Sequence, residues 1–239
     1  MTADTAITSA AGVTAAHRIE HQPEHTPQPN ADFAMPPGWI HRLPADDLDL
    51  AVLLVNSMDL LEDPPDRLTS VHWYRDALHA AGHGDIAEGL TEADLPSLLE
   101  LRALLRLVFS AATLEEAVEI VNPMLVRGGA VPQLVVDDDG RPVLQVAPQA
   151  TGLEALSARL PAAAAGLIAE SELRRLGTCA GTPCECAFVD RSRSGSRRFC
   201  SDWCNDRAAA AAYRARRKAG QEPATPNYEQ PRTSPAAWA

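Results

Sequence analysis

Apolar residues recur along much of the chain at the three- and four-residue spacing of an amphipathic helix. This spacing predicts a first helix from Asp46 to Leu61, stopped by the Pro64-Pro65 pair, and a second over residues 69–81 that ends at Gly82. The apolar positions are Leu50, Leu53, Leu54 and Met58 in the first helix and Val71, Tyr74 and Leu78 in the second.

Asn56 interrupts the apolar face of the first predicted helix. A buried amide must find hydrogen-bond partners, so we expect this side chain to bond within the protein rather than to contact a ligand.

Two further helices are predicted from capping signals. Thr91 with Asp94, and Thr113 with Glu116, have the spacing at which each side chain can bond the other residue's backbone. Residues 153–176 are rich in alanine and leucine and predict one more long helix. The apolar faces are Leu95, Leu98, Leu99, Leu105 and Val108 after Thr91, and Leu114, Val118, Val121 and Leu125 after Thr113.

Between these helices, two short apolar runs flank a polar turn. Residues 133–136 and 142–146 enclose Asp137-Asp138-Asp139-Gly140, and Asp-Gly tolerates the positive φ values of a tight turn. The predicted fold class is therefore mostly α with a small β-hairpin.

Composition bounds the class of protein. The chain has 239 residues, of which 46% are hydrophobic and 22% charged, as in a packed globular protein. It lacks an apolar run near the 18 or so residues of a membrane helix, and its first residues lack the positive segment of a signal peptide. We expect a cytoplasmic protein with no membrane partner, with disordered, Pro- and polar-rich tails at 1–44 and 219–239.

Charge is distributed unevenly. The net charge of the chain is −11, but residues 191–218 contain nine basic and two acidic residues, a net charge of +7, which leaves −18 on the rest. This asymmetry predicts an anionic partner for one end of the molecule.

All five cysteines lie between residues 179 and 204. Cys179, Cys184, Cys200 and Cys204 form two close pairs separated by 15 residues, the spacing of a four-thiolate tetrahedral zinc site. Four thiolates leave no open position for a substrate, which favours a structural zinc over a catalytic one. Cys186 could replace Cys184, although four intervening residues are closer to the usual length of a knuckle.

The segment around these cysteines predicts a treble-clef-like order of knuckle, hairpin and helix. Two short strands are expected at residues 187–189 and 197–199, and Ser201 can cap a helix that runs to about Lys218. The predicted domains are therefore a helical, regulatory domain over 45–176 and a zinc finger over 177–218.

Three runs in this finger resemble the CGNR-type zinc finger of bacterial stress-induced transcription regulators. They are Phe188-Val-Asp190-Arg-Ser192, Arg197-Arg198-Phe199-Cys200-Ser201 and Cys204-Asn205-Asp206-Arg207, the last with Asn-Asp where the family has Gly-Asn. Upstream, residues 53–57, 90–95 and 101–105 look like the helical domain that precedes this finger. The resemblance implies zinc as the cofactor, DNA as the partner, and a small-molecule or protein effector at the helical domain.

The basic residues of the finger are candidate DNA contacts. On the predicted helix, Arg207, Arg214 and Lys218 share one face, and small alanines between them allow close approach to a phosphate backbone. The full candidate set is Arg191, Arg193, Arg197, Arg198, Arg207, Arg214, Arg217 and Lys218.

Two function classes remain open. The first is a DNA-binding transcription regulator, and the alternative is a zinc-stabilised protein-interaction module without direct DNA binding. An enzyme is disfavoured, because the chain has no phosphate-binding glycine loop, nucleophile elbow or acid/base pair at motif spacing. A homodimer is expected on frequency alone.

Overall fold

The computed structural model describes residues 46–219, so the predicted disordered tails lie outside it apart from Ala219. Within these residues the chain is mostly helical, as predicted, and contains two antiparallel hairpins. The helices and strands are α1 Asp47–Val55, α2 Val71–Ala80, α3 Gly84–Glu88, α4 Leu95–Ser110, α5 Leu114–Arg127, β1 Pro132–Val136, β2 Pro142–Val146, α6 Gly152–Ala169, β3 Leu176–Thr178, β4 Ala187–Val189 and α7 Asp202–Lys218, with 3₁₀ turns at Glu92–Asp94 and Leu173–Arg175.

The helix α6 lies at the centre of the helical domain, where it contacts α1, α3, α4 and α5. Its first residue, Gly152, has a φ of 55°, and a side chain there would collide with the backbone carbonyl of Gly89. Glycine at this position therefore allows α6 to enter the core. Fully buried leucines of the core include Leu50, Leu54, Leu98, Leu105, Leu156 and Leu160.

Local capping and turn signals predicted several elements correctly. Thr91 and Asp94 form the expected reciprocal cap, and the Thr113 hydroxyl accepts from the Glu116 amide at 3.2 Å. The β1–β2 hairpin pairs in the predicted segments, with Gly140 at a φ of 76° in its turn. Among residues 46–219, no helix combines the length and the apolar character that crossing a bilayer requires.

The predicted helix from Asp46 to Leu61 is too long, because α1 ends at Val55. Ser57 donates its hydroxyl to the Leu54 carbonyl, and Met58 forms a bridge with Asp66. Side chains that bond the local backbone compete with continuation of a helix.

The predicted helix over residues 153–176 is also too long. The helix α6 ends at Ala169, followed by Ser171 in the left-handed conformation with a φ of 62°. Leu176 instead begins β3 and pairs with Val189 across the second hairpin. A long-range strand pairing thus overrides the local helical pattern.

The buried face of α5 differs from the predicted one. Ala117, Val121 and Met124 are buried, whereas Leu114 and Val118 are 49% and 39% exposed. Close packing of α5 against α6 selects this face, since the end of α5 at Gly128 lies directly against the Ser157 carbonyl of α6.

The predicted hairpin inside the finger has a different partner. The strand β4 pairs with β3, which precedes the first cysteine, and residues 197–199 form no strand. Their polar groups are used elsewhere: the Arg197 amide donates to Asp190, and the Arg198 carbonyl accepts from the Ala180 amide.

The β3–β4 hairpin packs on α1 and α4 and joins the cysteine-rich segment to the helical domain. Asn56 makes two buried hydrogen bonds to Ala187 of β4, donating to its carbonyl at 2.9 Å and accepting from its amide at 2.7 Å. Arg106 of α4 donates to the carbonyls of Glu185 and Val55. Asn56 is therefore the structural hydrogen bonder that its sequence position predicted.

Replacing Asn56 by alanine should destabilise the protein by about 3 kcal/mol, because the buried amide and carbonyl of Ala187 would lose their partners. Urea unfolding should show a lower midpoint. The control is Asn122→Ala on the exposed surface of α5. Equal midpoints for Asn56→Ala and the control would contradict a stabilising role for the hydrogen bonds between Asn56 and Ala187.

Candidate metal centre and basic surface

The finger folds so that four cysteines meet from two directions. Cys179 follows β3 and Cys184 lies in the turn towards β4, whereas Cys200 precedes the N-cap of α7 and Cys204 lies in the first turn of that helix. The structure thus brings together all four predicted ligands, which form the one group of three or more potential metal ligands found within residues 46–219.

The distances between the sulfurs fit a tetrahedral zinc ion. All four Sγ atoms lie within 4.8 Å of one another, and Cys200 Sγ is 3.7 Å from both Cys184 Sγ and Cys204 Sγ. Zinc–sulfur bonds of about 2.3 Å place the corners of a tetrahedron about 3.8 Å apart. The donor set is closed, since four sulfurs fill the coordination sphere of a structural zinc.

Backbone hydrogen bonds shape the turn that carries the first pair of cysteines. The Cys179 amide donates to the Cys186 carbonyl at 2.9 Å, and the Gly181 amide donates to Cys179 Sγ at 3.4 Å. A Cβ atom at Gly181 would lie in ordinary van der Waals contact with that sulfur and with Arg207.

The second pair is held by the start of α7. The Ser201 hydroxyl accepts from the Cys204 amide at 3.3 Å, as the predicted N-cap requires. This cap fixes Cys204 on the side of the helix that faces the other sulfurs.

Cys186 is a fifth thiol in the same buried cluster, but it is not a member of the group of four. The thiols of Cys186 and Cys200 hydrogen-bond Cys184 and lower the pKa of Cys184 to about 2. The same contacts and burial raise the pKa of Cys186. The geometry favours Cys184 over Cys186 as a ligand, because the Cys184 sulfur belongs to the group of four that lie within 4.8 Å of one another.

The loop after β4 is organised by the buried carboxylate of Asp190. It accepts from the Ser192 amide at 2.8 Å and the Arg197 amide at 2.7 Å, while Arg175 donates to the carbonyls of Asp190 and Ser192. Burial opposes ionisation, but these hydrogen bonds and the Arg175 charge outweigh it and hold the pKa of Asp190 below its usual value.

Three of the eight predicted DNA contacts bind other groups within the protein. Arg191 pairs with Asp46 and Asp49 at the start of α1, both at 2.8 Å. Arg197 donates to the carbonyls of Phe199 and Cys200, and Arg207 lies 4.7 Å over the ring of Trp203.

The other five predicted contacts are exposed and, within the described residues, form no ion pair. Arg198 lies over the Phe199 ring at 5.8 Å, and the remaining four have no ring contact there. The five exposed residues are Arg193 and Arg198 in the loop and Arg214, Arg217 and Lys218 on α7.

The helix α7 extends away from the body of the protein. Every residue from 209 to 218 is exposed. Arg207, Arg214 and Lys218 follow Trp203 at helical spacings of four, seven and four residues, so they lie on one face, with Arg217 beside them.

Sequence reasoning did not identify the arginines that support the finger, Arg106, Arg174 and Arg175. Each donates to backbone carbonyls that are far away in sequence, such as Glu185 for Arg106 and Gly195 for Arg174. Carbonyl acceptors occur at every residue, so no sequence pattern marks these contacts.

Comparison with known families gives two matches. Residues 175–217 match the family model described as "CGNR zinc finger". Residues 48–171, more than half of the chain, match the ABATE model, described as "Putative stress-induced transcription regulator". No curated protein matches the chain. Together with the four sulfurs, the finger match confirms zinc as the cofactor.

The Cys204→Ser variant should retain far less than one zinc ion per chain, because three thiolates hold the ion more weakly than four. Metal analysis after dialysis against a mild chelator measures this loss. The matched control, Cys186→Ser, should retain one ion per chain. If the control lost zinc and Cys204→Ser kept it, the proposed ligand set would be wrong.

Proposed function

The chain belongs to the ABATE family, whose model is described as "Putative stress-induced transcription regulator", and it carries a CGNR zinc finger; from this premise we propose that the finger binds DNA. Zinc would hold the start of α7 in place, and the exposed part of that helix would contact the phosphate backbone. The observation that carries the proposal is the exposed basic face of α7.

The charge along α7 indicates which part of the helix meets DNA. Asp202 and Asp206 occupy its first turns, where they oppose the attraction of a helix N-terminus for phosphate. Arg214, Arg216, Arg217 and Lys218 occupy its last turns. The phosphate contact is therefore proposed for the C-terminal half of α7.

The shape of α7 supports the same assignment. Residues 208–212 are all alanine, so the middle of the helix carries no bulky side chain. Small residues allow the backbone of the helix to approach a groove while the arginines reach the flanking phosphates. Contacts of this kind supply affinity that does not depend on sequence.

One contact favours the alternative, a protein-interaction module. Arg191 in the finger binds the carboxylates of Asp46 and Asp49, so a finger arginine already recognises acidic side chains. An acidic protein partner would use the same chemistry. Salt-dependent binding to duplex DNA separates the two functions, because a module specific for a protein would not retain DNA.

The proposed function is not enzymatic, since four thiolates leave the metal no site for a substrate.

Homodimerisation and an effector at the helical domain stay predictions. A groove of about 220 Å³ between α4, α5 and α6 is smaller than ligand pockets of about 300–1,000 Å³, whereas a groove of about 410 Å³ between β2 and α6 falls within that range.

The double variant Arg214→Ala/Arg217→Ala should bind duplex DNA more weakly, because two phosphate contacts are lost. The slope of log K against log salt should fall in magnitude by about two, roughly one for each contact. Fluorescence anisotropy with a labelled duplex at several salt concentrations measures both quantities.

The matched control is Arg127→Ala/Arg141→Ala, which removes two exposed arginines from the helical domain. This control should bind DNA with the wild-type salt slope. Unchanged binding by Arg214→Ala/Arg217→Ala would remove the support for α7 as the DNA contact.

A further inference from the structure

The zinc centre contains one more thiol than the metal needs. Four cysteines meet the geometry of a closed tetrahedral site, and Cys186 lies buried against them. We propose that Cys186 is a resolving thiol, which forms a disulfide with Cys200 after a hydroperoxide has oxidised Cys200. The inference rests on the zinc centre and not on the proposed binding to DNA.

Cys200 is the member of the cluster that an oxidant can reach. It is partly exposed, whereas Cys179, Cys184, Cys186 and Cys204 are buried. A thiol that coordinates a metal is deprotonated, and the thiolate is the form that attacks peroxides.

Two arginine side chains lie close to Cys200. Arg197 donates to the Cys200 carbonyl at 2.6 Å, and Arg198 lies over the ring of the preceding residue, Phe199. Reactive cysteines are typically partly exposed and close to positive charge, while structural buried cysteines are inert. Cys200 is partly exposed, and the Arg197 guanidinium contacts its backbone.

Cys186 is placed to complete the reaction. It belongs to the buried thiol cluster against which Cys200 packs, and it lies outside the group of four ligands. A buried thiol beside an accessible one is protected from the oxidant but available to an oxidised neighbour. This arrangement is typical of a resolving cysteine next to a redox-sensitive one.

The chemistry balances with a hydroperoxide as the oxidant. The Cys200 thiolate attacks the peroxide, forming an S–O bond and breaking the O–O bond, so that Cys200 becomes a sulfenic acid and hydroxide or alkoxide leaves. Cys186 then attacks the Cys200 sulfur, the S–O bond breaks and water leaves with the Cys186 proton. Two electrons pass from the two sulfurs to the peroxide, and a Cys186–Cys200 disulfide remains.

The disulfide removes one of the four metal ligands, because Cys200 can no longer act as a thiolate. The remaining cysteines bind the ion more weakly, and when the ion leaves, the finger loses the link between the start of α7 and the knuckle. Disulfides are reversible, whereas sulfinic acids are not, so Cys186 would make the loss of zinc reversible.

The test uses the zinc-loaded full chain treated with hydrogen peroxide. Zinc release is followed with a chromogenic chelator, and the disulfide is located by mass spectrometry after cleavage on the C-terminal side of Glu185 and before Asp190 and Asp202. These cuts place Cys184, Cys186, Cys200 and Cys204 on separate peptides. Wild type should release its zinc, contain a Cys186–Cys200 link, and rebind zinc after dithiothreitol treatment.

The Cys186→Ala variant, which should still bind zinc, supplies the comparison. Its Cys200 sulfenic acid should accumulate, react with dimedone and proceed to sulfinic acid, so that dithiothreitol no longer restores zinc binding. A wild-type disulfide that excludes Cys186, equal recovery of zinc in both proteins, or no zinc release by peroxide would overturn the proposal. If Cys186→Ala did not fold, the disulfide mapped in wild type would decide the question alone.

Discussion

Coordination of one ion by four sulfurs is the interaction on which the finger depends. Its large apolar side chains are few, and one of them, Trp203, is 54% exposed. Burial therefore supplies little folding free energy here, whereas thiolate coordination of zinc in small domains supplies about 10–16 kcal/mol. The ion joins Cys179 and Cys184 to Cys200 and Cys204, and so fixes α7 to the turn between β3 and β4.

The zinc-stabilised segment is not an independent unit attached by a flexible linker. Asn56 and Arg106 bond it from α1 and α4, and Arg191 pairs with Asp46. These contacts place the basic α7 at one side of an otherwise acidic molecule. The charge of −18 outside residues 191–218 opposes nonspecific contact of the helical domain with DNA, so that the finger is the part that an anionic polymer can approach.

The thiolates that hold the finger together also make it chemically sensitive. Thiolates bind zinc tightly because they are soft anions, and the same property makes them nucleophiles towards peroxides. Burial protects three of the four ligands, and Cys200 remains partly exposed at the start of α7. The stability of the finger and its proposed response to oxidation therefore have one origin.

The sequence by itself determined the features that depend on short spacing. The two cysteine pairs, the caps at Thr91, Thr113 and Ser201, and the Asp-Gly turn each involve residues close in the chain, and all were predicted. Only the tertiary structure decided the ends of α1 and α6, the pairing of β3 with β4, the buried face of α5, and which basic side chains are engaged. These depend on contacts between distant residues, such as Asn56 with Ala187 and Arg191 with Asp46, which have no local periodicity for a sequence to show.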